Sequence, residues 1–146
     1  NHNVVAEDLG QALIVGDRAL EVPHANYDVM ESYGDAVTNI ATALGKDVRT
    51  FNVLVPNGAE FYAPNDYHTG DMSQSKMIGF CYEKLGSNVK TADAYAKLAA
   101  HTDEYIYFRT DHHWTQLGAY YAYTAFCEAA GFDAPPAEQV RAGTVR

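Results

Sequence analysis

The chain has 146 residues, 47% of them hydrophobic and 20% charged, with 11 tyrosines. This composition suits one globular domain with an aromatic-rich interior and excludes a disordered segment. The formal net charge of −9, with no cluster of Lys and Arg against it, excludes nucleic acid as a partner and predicts no attraction to an anionic leaflet. No run of about 18 apolar residues exists to enter a membrane.

Residues 12–15 predict a strand, Gly16-Asp17 a turn, and residues 19–22 the return arm of a small hairpin. From Tyr27 onward, Met30, Tyr33, Val37, Ile40 and Leu44 fall on one helical face, with Asn26 as N-cap and Gly45 as the stop. Residues 48–55 are rich in β-formers and run into Pro56-Asn57-Gly58, so a buried strand delivers a loop with Asn57 at its edge. Residues 62–72 have loop composition and suit a substrate-facing rim, whose aromatics are glycan-stacking candidates. Ser73 is placed to cap a helix carrying Met77, Phe80, Cys81 and Leu85, and Thr91 to cap another carrying Tyr95, Leu98 and Ala99, with a brief strand in residues 87–90. Residues 105–108 predict a strand that leads through Arg109 and Thr110 into Asp111-His112-His113-Trp114. Residues 115–130 then form a mostly buried helix ended by Gly131, and Pro135-Pro136 punctuates the C-terminal stretch. Strands alternating with helices predict βαβ units and a parallel sheet in a single α/β domain over residues 1–146.

The chemistry concentrates at the junction after residue 108, where a carboxylate and two imidazoles follow a strand in front of a helix, the place where α/β enzymes keep their reactive groups. A carboxylate two residues before an imidazole can accept its Nδ1–H, fix its tautomer and leave Nε2 free to take a proton from a nucleophile. Asp111 and His113 thereby supply two members of a Ser-His-Asp triad, with His113 as general base and Asp111 as its orienter. The competing structural reading is an Asp that caps the helix entry and a His bonded locally.

The segment Tyr107-Phe108-Arg109-Thr110-Asp111-His112-His113-Trp114-Thr115, with Gly118, resembles the signature of the bacterial DHHW protein family. That family is similar to the SGNH-hydrolase-like alginate O-acetyltransferases, whose corresponding motif is Asp-x-His-Trp. Upstream, Phe51-Asn52-Val53-Leu54-Val55-Pro56 and Glu60-Phe61-Tyr62 resemble the family's strand ending in Pro ahead of an aromatic turn. The resemblance covers about the middle two-thirds of the chain. It implies a three-layer SGNH-hydrolase-like (flavodoxin-like) parallel sheet with helices on both faces, incomplete here. It also implies an O-acetyltransferase or acetylesterase acting on a cell-surface or exported polysaccharide in an extracytoplasmic setting, either secreted or anchored through a further N-terminal segment. In the relatives the catalytic Ser lies in a Gly-Asp-Ser-like block downstream. None stands in this sequence, which begins at Asn1 and ends at Arg146. The chain is therefore expected to be part of a longer protein, inactive alone and partnered with the remainder that carries the Ser. The rival reading is a non-catalytic module that binds a glycan or a protein.

Other candidates have simpler roles. Trp114 and Thr115 read as supports for the imidazole. Arg109 pairs with a surface carboxylate or holds an anionic substrate group, and Asn57 orients substrate or donates to an oxyanion unless Pro-Asn-Gly is only a turn. His112 alternates with His113 and is expected to project the other way. Asp111, His112 and His113 read as too close in sequence to converge on a metal without a distorted loop, so His68 or His101 would have to join them; no metal and no cofactor is expected. Ser73, Ser75 and Ser87 lack the context of a nucleophile elbow. Tyr120, Tyr121 and Tyr123 read as core and boundary residues, and Cys81 and Cys127 as buried thiols, with a single disulfide left open.

Overall fold

The computed structural model describes residues 6–10 and 12–141. Two small sheets organise the described residues. An antiparallel sheet joins β1 (Ala6–Asp8), β2 (Leu13–Val15) and β3 (Arg18–Leu20) in that order. The β2–β3 register pairs Val15 with Arg18 across a two-residue turn, where Gly16 takes φ 60°. A positive φ at that position gives the turn the twist that matches its strands, so the predicted hairpin forms. Leu13, Val15 and Leu20 are buried and pack with Ala59 and Ala63.

The second sheet is parallel and has two strands, β4 (Thr50–Asn52) and β5 (Val89–Thr91). The helix α1 (Tyr27–Leu44) precedes β4. Between the two strands run α2 (Ala59–Tyr62), two 3-10 turns (Asn65–His68 and Gly70–Met72) and α3 (Gln74–Glu83). After β5 come α4 (Ala94–Ala99), α5 (Gln116–Ala130) and α6 (Ala137–Arg141). The result is a mixed α/β fold with helices joining parallel strands. Among the described residues no helix is long and apolar enough to cross a membrane.

Local signals fixed several boundaries. Asn26 accepts from the Val29 N–H at 3.1 Å and opens α1, and Gly45 closes it at φ 77°. Gly131 takes φ 78°, and its left-handed cap stops α5. Other expectations are corrected. Residues 105–108 form no strand. They make only a bridge between Tyr107 and Trp114, because the chain doubles back on itself there and pairs with its own continuation instead of the sheet. Ser73 occupies the cap position of α3 without capping it, since its Oγ bonds Ser75 Oγ. The Glu60 carboxylate takes that task, accepting from the N–H groups of Gln74 and Ser75 at 3.1 and 3.2 Å. Asp93, not Thr91, caps α4. The apolar stripe of α1 is largely open: Ile40 and Leu44 are exposed, and the helix buries Gly34 and Ala41. A side chain at Gly34 would lie 2.7 Å from Lys84 Cβ, so the close approach of α1 to the end of α3 uses a small residue.

Candidate active site

The motif segment is a hairpin-like loop that starts and ends in the core. Ile106 and Tyr107 are buried. The N–H of Thr115 donates to the Ile106 carbonyl at 2.9 Å, and that of Phe108 to the His113 carbonyl at 3.2 Å. Thr115 caps α5: its Oγ1 accepts from the Gly118 N–H at 3.3 Å and donates to the Tyr105 carbonyl at 2.7 Å. Gly118 is required here for space, because a Cβ would sit 2.3 Å from the Ile106 oxygen. Trp114 is half-buried between Ala92, Ala94, Ala122 and Ala125 on one side and Leu98, Ile106 and Tyr107 on the other. The Trp-Thr-x-x-Gly part of the motif thus anchors the loop to the core.

The loop itself is exposed. Asp111 Oδ1 accepts from the backbone N–H of His113 at 2.8 Å and lies 2.5 Å from its Nδ1. These two bonds hold the Asp111 carboxyl below the ordinary carboxylate range, the backbone bond being the larger cause and the imidazole bond the next. With Nδ1 against the carboxylate, Nε2 is the ring atom left for an outside partner. His113 borders a hollow of about 320 Å3 lined also by Val55, Pro56, Asn57, Tyr107, His112 and Trp114. This hollow lies just past the C-terminal end of β4, where a parallel strand delivers its loop.

The Pro56-Asn57-Gly58 turn is fastened to the motif by Tyr107, whose hydroxyl donates to the Pro56 carbonyl at 2.5 Å. Burial pushes that phenol well above its usual range. Tyr107 carries no sequence signal for this role, since nothing in a Tyr-Phe pair reveals a carbonyl 51 residues upstream. Asn57 stands beside His113, and its side chain is engaged: Oδ1 accepts from Ala59 N–H and Gln74 Nε2, and Nδ2 donates to the Glu21 carbonyl at 2.9 Å. Arg109 forms its ion pair with Asp17 and is not part of the hollow lining.

The expectation for His112 is corrected. Its ring lies 4.2 Å from that of His113, centroid to centroid, and lines the same hollow, with Nδ1 3.3 Å from Glu21 Oε2. Alternation of side chains requires an extended backbone, and this loop is a tight turn. The bend that the sequence reading required for convergence is present: one ligand atom from each of Asp111, His112 and His113 lies within 4.8 Å of the others. His68 and His101 do not join them. His68 Nε2 is 3.2 Å from the Ala59 carbonyl oxygen, and His101 stacks on Tyr121 beside Glu104. The aromatics proposed as a glycan rim are also committed, Tyr62 and Tyr67 packing on the core of the antiparallel sheet.

Buried polar groups elsewhere hold the scaffold. Glu60, 8% exposed, also accepts from the Tyr95 hydroxyl at 2.9 Å, and burial with this carboxylate pushes the Tyr95 phenol up to about 12. A lone Glu in an aromatic stretch carries no sequence signal for its capping of α3. Cys81 and Cys127 are both buried free thiols.

The fold and the loop together define a mixed α/β protein with an aspartate-held histidine beside an open hollow. The chain belongs to the DHHW protein family, whose model matches residues 2–141. Among solved structures, a DHHW family protein from Eubacterium siraeum is 37% identical with a TM-score of 0.77, over 88% of this chain and 43% of that one. Bacillus cereus PatB1 with a sulfonyl adduct is 22% identical with a TM-score of 0.72, over 87% of this chain and 45% of that one. A second structure of Bacillus cereus PatB1 gives a TM-score of 0.58 at 22% identity, over 87% of this chain and 42% of that one. The chain spans less than half the length of these structures. No curated protein matches.

Proposed function

We propose that the chain carries the Asp–His part of a Ser-His-Asp acyl-transfer site, with His113 as general base, Asp111 as its positioning residue, and the Ser supplied by the remainder of a longer protein. The observation that carries this reading is the 2.5 Å contact of His113 Nδ1 with Asp111 Oδ1 beside the hollow. In the first half-reaction His113 Nε2 takes the Ser proton as Oγ attacks an acyl carbonyl, and the imidazolium returns that proton to the leaving oxygen. In the second, a sugar hydroxyl or water attacks the acyl-enzyme through the same imidazole. The acyl group is acetyl and the substrate class an exported or cell-surface polysaccharide, in an extracytoplasmic setting, as transferase or esterase according to the acceptor. The added segment would extend the parallel sheet into a three-layer SGNH-hydrolase-like arrangement. It would also cover a pair now more than half exposed, with side-chain exposures of 64% for His113 and 53% for Asp111. The sulfonyl adduct carried by PatB1 fits this chemistry, since sulfonyl groups are trapped by activated nucleophiles.

The full-length protein is expected to turn over p-nitrophenyl acetate, with His113→Ala lowering kcat by about 10^6-fold and Asp111→Asn by about 10^4-fold. Unchanged turnover in His113→Ala would return the loop to a structural junction. Binding to a glycan or a protein without turnover is favoured by one feature, the exposed pair Tyr105 and Phe108 flanking the loop. In that case glycan retention on affinity electrophoresis would survive His113→Ala and fall with Phe108→Ala.

A further inference from the structure

We propose that Asp111, His112 and His113 bind a divalent transition metal ion of the zinc class, in competition with proton transfer by His113. The competitive consequence rests on the function proposed above; the binding itself does not.

The donor set is two imidazoles and a carboxylate, which suits zinc-like ions and not the oxygen-seeking magnesium or calcium. Their ligand atoms lie within 4.8 Å of one another. Around one tetrahedral zinc ion, at about 2.0–2.1 Å from each ligand, neighbouring ligand atoms stand about 3.4 Å apart. Closing that difference asks for small rotations of side chains that are all exposed. The loop is already fixed at its base by the Asp111 bond to the His113 N–H and by the Phe108 bond to the His113 carbonyl.

A second, independent feature concerns the far side of the His112 ring. His112 Nδ1 faces Glu21 at 3.3 Å, whereas Asp111 and His113 Nδ1 meet directly and the metal would take the place of the proton between them. A carboxylate on one ring nitrogen holds its proton there and makes the other nitrogen a better donor, the arrangement that supports metal-bound histidines. Two adjacent imidazoles, His112 backed by Glu21 and His113 beside Asp111, line one hollow with room for water in the remaining coordination positions. Among the described residues this is the one grouping of its kind. The exposed His24–Asp71 pair has a single imidazole and a single carboxylate. A metal seated between Asp111 and His113 Nδ1 leaves the ring proton on Nε2, which can then take none from the Ser, so occupancy and catalysis exclude each other.

The test is calorimetric titration of zinc chloride into the untagged full-length protein. One saturable site is expected, with His112→Ala weakening affinity at least about ten-fold, Glu21→Gln weakening it about ten-fold through the lost outer carboxylate, and His24→Ala leaving it unchanged. Circular dichroism confirms that each variant is folded. Absence of saturable binding, or equal weakening by His24→Ala and His112→Ala, overturns the site. Zinc should also inhibit ester turnover reversibly on adding a chelator, at a higher concentration in Glu21→Gln. Zinc bound without inhibition would remove the proton-transfer role of His113, whereas His113-dependent turnover without zinc binding would remove the metal site alone.

Discussion

Two halves of one short segment behave oppositely. Asp111 and His113 are exposed and polar, and their mutual geometry is set by local bonds from one carboxylate. Tyr107, Trp114, Thr115 and Gly118 are buried or half-buried, and their geometry is set by distant partners, from the Pro56 carbonyl to the core beneath α5. The contrast teaches that a sequence signature can hold two different physical jobs. The first half presents reactive groups, and the second fixes the place where they are presented.

Substitutions in the second half should therefore cost stability, and those in the first half should not. The largest effect is expected for Gly118→Val, where side-chain atoms meet the Ile106 carbonyl: loss of about 3 kcal/mol or more in urea unfolding. A variant as stable as the parent would mean that α5 does not approach so closely. Next comes Tyr107→Phe, which leaves a buried carbonyl at Pro56 without its donor and should cost about 1–3 kcal/mol. His113→Ala, by contrast, should move unfolding by no more than about 0.5 kcal/mol. A loss equal to that of Tyr107→Phe would erase the distinction between the halves.

The smallest effect is in acid. Because the folded-state pKa of Asp111 is lowered, its stabilising bonds are complete above the unfolded value of about 3.9 and are lost as pH falls through the lower folded value. Carboxyl-carbon NMR should show Asp111 titrating below an ordinary Asp, and His113→Ala should move it back up part of the way. The backbone bond to residue 113 survives that substitution. A midpoint unchanged by His113→Ala would mean that the imidazole does not bear on the carboxylate.

The zinc titration and the ester assay divide the exposed half further, since Glu21 and His112 bear on the metal alone and His113 on both.

The sequence by itself determined what local chemistry can determine. Asn26, Gly16, Gly45 and Gly131 announce caps and turns because their effects act within four residues. The Asp111–His113 contact was legible for the same reason, two residues being enough to close it. Tertiary structure alone decided the rest. Glu60 caps α3 from another helix, and Tyr107 fastens a loop 51 residues away. His112 turned toward His113 because the loop is bent, and residues 105–108 gave up strand pairing for a bridge to their own continuation. Such partners are chosen by packing and by the need to satisfy buried polar groups, and neither leaves a mark in the spacing of residues along the chain.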